Sequence, residues 1–169
     1  MKNAVLSLGS NLGNRKRNII SAIKSISLLP DTRIVRISGL YRTKPEGYLK
    51  QPDFLNTAVL IETGLSPRAL LGGLLGIEAA LGRVRRFKNG PRTIDIDLLV
   101  YEGVKTQDDE LTLPHPRMGG RAFVMAPLAG LFPDGKVLGF DFKREMDLLA
   151  GDNTKVKKIR KGWEKRVFR

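Results

Sequence analysis

Between residues 3 and 101 the hydrophobic period switches from two to 3.6 and back, twice, and this alternation restricts the folds open to the chain. Residues 3–9 alternate as a first strand. Residues 15–29 carry Ile19, Ala22, Ile23, Ile26 and Leu29 at helical spacing and stop at Pro30. Residues 32–42, rich in β-branched side chains, read as a second strand, and 43–52, with two prolines and a glycine, as a loop. A third strand follows over 54–63, with Phe54, Asn56, Ala58 and Leu60 on one face. Ser66-Pro67 is a helix start, a capping hydroxyl followed by proline at the first helical position. That helix reaches about Leu81 and buries Leu70, Leu74, Ile77 and Leu81. Gly72, Gly73 and Gly76 each cost it roughly 1 kcal/mol relative to alanine, and tight packing against a sheet is expected to explain them. A fourth strand spans 93–101. The order β-α-β-β-α-β predicts an α+β, ferredoxin-like core. A hairpin over 104–113 and additional C-terminal helices over 121–131 and 143–149 complete it. Residues 1–150 are expected as a single domain and 151–169 as a basic C-terminal tail, helical or disordered.

The chain has 169 residues, enough to bury a core. It has no cysteine, which excludes disulfides, thiolate zinc sites and thiol nucleophiles and suits a reducing cytoplasm. No apolar run approaches the roughly 18 residues of a membrane helix, so no membrane partner is expected. The first residues lead straight into a strand, leaving no room for a secretory leader. Thirty Lys and Arg against 17 Asp and Glu give +13, which calls for anionic partners. About half of the excess lies in residues 155–169, eight basic residues against one acidic. Within the rest, Arg83, Arg85, Arg86, Lys88 and Arg92 crowd one stretch.

That stretch feeds Thr93-Ile94-Asp95-Ile96-Asp97-Leu98, where strand periodicity puts both aspartates on one face, about 7 Å apart. Two carboxylates so spaced suit a pair of Mg²⁺ ions, which take oxygen ligands, water and phosphate oxygens. The plain alternative is a solvated strand face. Arginine forks beside the carboxylates suit polyphosphate, the anion that lets cations and metal coexist. Gly9-Ser10-Asn11 resembles a phosphate-cradling loop only loosely and reads first as a tight turn, since no GxxxxGK[ST] is present. His115, the only histidine, is as compatible with solvent as with a ligand. Phe54 and Asn56 can stack on and hydrogen-bond a flat heterocycle, or simply pack in the core.

Several segments together resemble the 6-hydroxymethyl-7,8-dihydropterin pyrophosphokinase family. They are Leu8-Gly9-Ser10-Asn11-Leu12-Gly13, Tyr41-Arg42-Thr43, Gln51-Pro52-Asp53-Phe54-Leu55-Asn56, Gly90-Pro91-Arg92-Thr93-Ile94-Asp95-Ile96-Asp97, Leu113-Pro114-His115-Pro116 and Arg121-Ala122-Phe123. The resemblance covers roughly residues 3–135 and implies transfer of the β,γ-diphosphate of ATP to the pterin hydroxymethyl group, with release of AMP, in folate biosynthesis. It implies two Mg²⁺ on Asp95 and Asp97, and electrostatic assistance from Arg83 and Arg92 as the catalytic residues. It further implies an ATP site of Glu78, Arg85, Thr112, His115 and Arg121. Thr43, Phe54, Asn56 and Phe123 would hold the pterin. Members often carry tryptophan just before the Gly-Pro-Arg motif, where this chain has Asn89, so Phe87 is a candidate for the aromatic lid. Glu110 stands where some members place arginine, and residues 155–169 lie outside the resemblance.

Two rivals remain from the residues alone. Nucleotidyl transfer also combines a Gly-Ser turn with Asp-x-Asp, but with the two about ten residues apart, whereas Ser10 and Asp95 are distant in this chain. A basic ferredoxin-like RNA-binding module would need exposed aromatics on the central strands, where Leu6, Leu8, Ala58 and Leu60 stand. Nucleic acid is therefore not a required partner.

Overall fold

The computed structural model describes residues 1–84, 87, 89–150, 156–160, 163 and 167. Its elements run β1 (Lys2–Ser10), α1 (Arg15–Ile26), β2 (Thr32–Ile37), β3 (Leu40–Thr43), β4 (Phe54–Thr63), α2 (Pro67–Ala80) and β5 (Asp95–Tyr101). Then follow β6 (Thr106–Gln107), β7 (Thr112–Leu113), α3 (Ala122–Leu131), β8 (Lys136–Val137), β9 (Phe140–Asp141), α4 (Lys143–Ala150) and β10 (Val156–Arg160).

The main sheet is ordered β10-β3-β4-β1-β5, with β2 also on β4, and every pairing is antiparallel. With β2 and β3 counted as one interrupted strand, this is the arrangement expected of the β-α-β-β-α-β core. Helices α1 and α2 cover one face. Ile19, Ile23, Leu70 and Leu74 pack there on Leu6, Leu8, Ile96 and Leu98. On the other face Val124, Met125 and Leu128 of α3 and Met146 of α4 meet Val5, Ala58, Leu60 and Leu99. Strand alternation thus sorts β5 cleanly: Ile96 and Leu98 point to α1 and α2, and Asp95 and Asp97 to the opposite face.

Caps fix both long helices. Asn14 accepts a hydrogen bond from Arg17 N at 3.1 Å, and Ser66 Oγ accepts from Ala69 N at 3.3 Å. The expected reason for the α2 glycines does not hold. Only Gly73 is close-packed, an added Cβ there meeting Leu29 Cδ2 at 3.0 Å, and that neighbour follows α1 rather than lying in the sheet. Gly72 and Gly76 face open space.

The second strand, expected as continuous, breaks at Ser38 and Gly39. Ser38 Oγ accepts from Ala58 N at 2.9 Å and hydrogen-bonds Thr57 Oγ1 at 3.0 Å. Side-chain bonding to the neighbouring backbone competes with the regular ladder in this way. Pairing resumes one residue out of step, from Ile37 opposite Val59 to Tyr41 opposite Asn56. The segment read only as a basic tail contributes β10, antiparallel to β3, and buries Trp163 and Val167 against the α1/α2 side of the core. No helix among the described residues is long and apolar enough to cross a membrane.

Candidate active site

The site grows from one row of the sheet. Asp95 lies opposite Gly9, Gly9 opposite Asn56, and Asn56 opposite Tyr41. Two rows along, on the same face, Asp97 lies opposite Ser7. Glycine in the first row leaves room for the Asn56 side chain, since a Cβ at position 9 would stand 2.6 Å from Asn56 Oδ1. The Asn56 carboxamide therefore lies across the β1 backbone and donates from Nδ2 to Thr43 Oγ1 at 2.7 Å, with both residues buried. Phe54 ends the same face of β4, and Phe123 reaches over from the first turn of α3.

These side chains line a cavity of about 420 Å³ that also includes Arg83, Arg92, Asp95, Asp97 and Arg121. A second cavity of about 280 Å³ is lined by Glu78, Thr112 and His115 among others. Arg83 and Asp97 border both, so the two spaces meet at these residues. The sequence-assigned pterin group, Thr43, Phe54, Asn56 and Phe123, is thus brought together in the first cavity. Of the group assigned to ATP, Glu78, Thr112 and His115 share the second cavity, whereas Arg121 lines the first. Arg85 lies outside the described residues.

Charge at the seam is tightly arranged. Asp95 takes Arg92 Nη1 at 2.7 Å and Arg83 Nη1 at 2.5 Å on its two oxygens. Arg83 also pairs with Glu78, whose Oε1 accepts from Ile96 N at 2.7 Å. Glu78 is held at the end of α2, and burial raises its pKa against the pull of the Ile96 bond and Arg83. Arg83 Nε is buried with no hydrogen-bond partner among the described residues. Asp97 accepts no hydrogen bond among the described residues, and its pKa is pushed from 3.8 up to about 6 by burial first and by the Asp95 charge second. A cation beside it would relieve both.

The donor set fits a metal that arrives with its substrate. Among the described residues no three His, Cys, Asp or Glu side chains converge on one point. Asp95 and Asp97 alone would leave most positions of an octahedral ion to water and phosphate, the usual state of Mg²⁺. His115 N donates to Leu99 O at 2.8 Å, and His115 Nδ1 accepts from Arg117 N at 3.3 Å. Burial, then the Arg121 and Arg117 charges, lower its pKa.

Two cation–aromatic contacts border the first cavity. The Arg92 guanidinium sits 5.8 Å from the Phe54 ring centre and Arg121 5.4 Å from that of Phe123. At the mouth Phe87 stacks edge-on against Tyr48 at 5.2 Å, and Gln51 Nε2 donates to Asn89 O at 2.9 Å. Phe87 and Asn89 both line the cavity, the aromatic standing two positions before the asparagine.

Ser7, Lys44 and Arg117 line the first cavity although the sequence did not single them out, and Gly9, read there only as part of a turn, lines it too. The small residues Ser7 and Gly9, alternating with Leu6 and Leu8 in β1, were the available signal. Asn11, read as part of a turn, is a tie between loops. Its Nδ2 donates to Gln51 Oε1 at 2.9 Å and its Oδ1 accepts from Arg92 N at 2.8 Å. Gly9 and Ser10 belong to β1 rather than to a turn, and Asn11 N donates to Arg92 O at 3.1 Å.

Residues 5–133 match the family described as 7,8-dihydro-6-hydroxymethylpterin-pyrophosphokinase (HPPK). Among curated relatives, 2-amino-4-hydroxy-6-hydroxymethyldihydropteridine pyrophosphokinase of Methylorubrum extorquens is 48% identical over 145 residues, covering 86% of this chain and 91% of the relative. The protein of the same name from Haemophilus influenzae is 42% identical over 134 residues, covering 79% and 84%. Among solved structures, an HPPK-DHPS in complex with substrates superposes with a TM-score of 0.70 at 13% identity. Wild-type Plasmodium falciparum HPPK-DHPS does so with a TM-score of 0.66 at 15%. At these identities the likeness speaks to the fold. This chain is covered to 94% and 89% in the two cases and spans about half of each solved chain, 48% and 45%.

Proposed function

The chain belongs to the 7,8-dihydro-6-hydroxymethylpterin-pyrophosphokinase family, and from that premise we propose how its own residues carry the reaction. It is an ATP-dependent pyrophosphokinase of folate biosynthesis, acting on 6-hydroxymethyl-7,8-dihydropterin. The pterin hydroxyl oxygen bonds to the β-phosphorus of ATP, the bond from that phosphorus to the α,β-bridging oxygen breaks, AMP leaves with that oxygen, and the hydroxyl proton passes to solvent. Family membership sets aside the RNA-binding and nucleotidyl-transfer readings.

One observation carries the assignment of parts: two cavities of different character meet at Asp97 and Arg83. The cavity with Phe54, Phe123, Asn56 and Thr43 suits a flat, hydrogen-bonding ring, which we assign as the pterin, stacked by the two phenylalanines. The cavity with Thr112 and His115 is assigned to the nucleotide. Glu78 borders it but acts chiefly by holding Arg83 and the Ile96 backbone. Arg121, beside Phe123, serves the phosphates from the pterin side, and Arg85 stays with the nucleotide on resemblance alone. Asp95 and Asp97 are the residues that would hold two Mg²⁺, which would supply charge neutralisation on the ATP phosphates. Arg92 and Arg83, both paired with Asp95, are the guanidinium groups that would donate to the phosphate oxygens. No side chain here need act as a nucleophile; positioning and charge suffice. A cytoplasmic location belongs to the same proposal, with ATP as co-substrate and no cysteine to protect.

The test is an assay of ATP and hydroxymethyldihydropterin with Asp97→Ala. Loss of AMP formation in a folded variant supports the metal assignment, and near-normal turnover would overturn it.

A further inference from the structure

We propose that the C-terminal segment, through β10 and Trp163, is a positioning element for the pterin cavity. The proposal rests on the assignment of that cavity above. Strand β3 is only four residues long and, without β10, would be a bare sheet edge, with one row of N–H and C=O groups left to water. It nevertheless carries Thr43, whose Oγ1 holds the Asn56 carboxamide at 2.7 Å. It also carries Tyr41, which lies opposite Asn56.

Three contacts tie this strand to the end of the chain. β10 pairs with it so that Val156 faces Thr43 and Lys158 faces Tyr41. The Lys158 ammonium lies 5.6 Å from the Tyr41 ring centre, and its stem passes so close to Gly39 that an added Cβ there would meet Lys158 Cε at 2.7 Å. Trp163, only 3% exposed, donates from Nε1 to Ser38 O at 3.0 Å, at the break between β2 and β3.

The chain of contacts continues to the far wall. Tyr41 Oη would stand 2.8 Å from a Cβ on Gly130 of α3, the helix whose first turn presents Phe123. A segment outside the family's matched residues thus braces both sides of the cavity: Thr43 and Asn56 through β3, and Phe123 through Tyr41 and α3. Among the described residues, none from β3 or β10 lines the nucleotide cavity, on the β5 side of the sheet.

Removing the brace should therefore weaken pterin binding and spare the nucleotide. The variants are a chain ending at residue 155, Trp163→Phe, which keeps the buried ring but removes its N–H donor, and Lys158→Met. Wild-type AMP formation is measured first, followed by equilibrium binding of hydroxymethyldihydropterin with a non-hydrolysable ATP analogue present, and of that analogue alone. We expect the shortened chain to bind the pterin roughly tenfold more weakly, and Trp163→Phe several-fold, as for a displaced hydrogen bond in a site built to make it. Analogue binding should stay within about twofold, and the thermal midpoint of Trp163→Phe close to wild type. Unchanged pterin affinity in the shortened chain, or parallel loss of both ligands, would overturn the brace while leaving the functional reading intact. Absence of AMP with the intact chain would overturn that reading and the brace with it.

Discussion

Gly9→Ala separates the site from the fold. Gly9 lies in the central strand β1, between β4 and β5, with no positive φ, so alanine can adopt its backbone conformation. Alanine also lowers the entropy of the unfolded chain, which favours the folded state slightly. The new methyl would meet Asn56 Oδ1 at 2.6 Å, whereas ordinary contact begins at 3.4 Å, so the carboxamide must retreat by about 0.8 Å. That displacement stretches the 2.7 Å bond from Asn56 Nδ2 to Thr43 Oγ1 beyond useful length and turns the amide away from the cavity. A lost hydrogen bond and a misplacement approaching 1 Å together predict a 10- to 100-fold fall in kcat/KM for the pterin, about 1.4–2.7 kcal/mol. The assay is AMP release against pterin concentration at saturating ATP, with a thermal melt of the same sample. Activity within twofold of wild type would refute the placement of Asn56 in the binding site. A thermal midpoint lowered by more than a few degrees would refute the claim that the cost is local.

Asp97→Asn should remove turnover and stabilise the fold at neutral pH. A carboxyl whose pKa rises on folding keeps its proton in the folded chain between 3.8 and about 6, where the unfolded chain has lost it. Wild-type stability therefore falls as pH rises through that window, and the gain from Asp97→Asn should appear above it and vanish below pH 3.8, as read by melts across the range. An equal gain at all pH values would contradict this. Mg²⁺ binding with ATP should likewise strengthen as pH rises through about 6, measured by titration calorimetry. Glu78→Gln keeps an acceptor for Ile96 N but removes the charge facing Arg83. It should destabilise the chain by about 1–3 kcal/mol in denaturant melts and lower kcat/KM for ATP as Arg83 loses its hold.

Much of the scaffold was legible because period and punctuation agreed. The Ser66-Pro67 start of α2 and the alternation of β4 and β5 each marked an element with a local cause. The break in residues 32–42 was not legible, since it depends on Ser38 meeting Ala58 and Thr57 across the sheet. The role of residues 156–167 was hidden for the same reason. A run dominated by lysine and arginine looks like a tail until β3 offers an edge and Ser38 an acceptor for Trp163. In the site, Asp95 and Asp97 could be placed on one face by periodicity alone. The pairing of Asp95 with both arginines could not, because Arg83 reaches it from beyond the end of α2. Asn11 shows the opposite error, a turn residue whose amide joins the loops at Gln51 and Arg92.

The most direct measurement is the product analysis of one reaction: the intact chain with ATP and 6-hydroxymethyl-7,8-dihydropterin, with Mg²⁺ and with a chelator, followed by phosphorus NMR. AMP and pterin diphosphate should appear in equal amounts with Mg²⁺, and neither with chelator, while the thermal midpoint of the free protein should be the same in both, since Asp95 is already paired with Arg83 and Arg92. ADP or free pyrophosphate as the first product, or undiminished AMP formation in the chelator, would refute Mg²⁺-dependent diphosphate transfer.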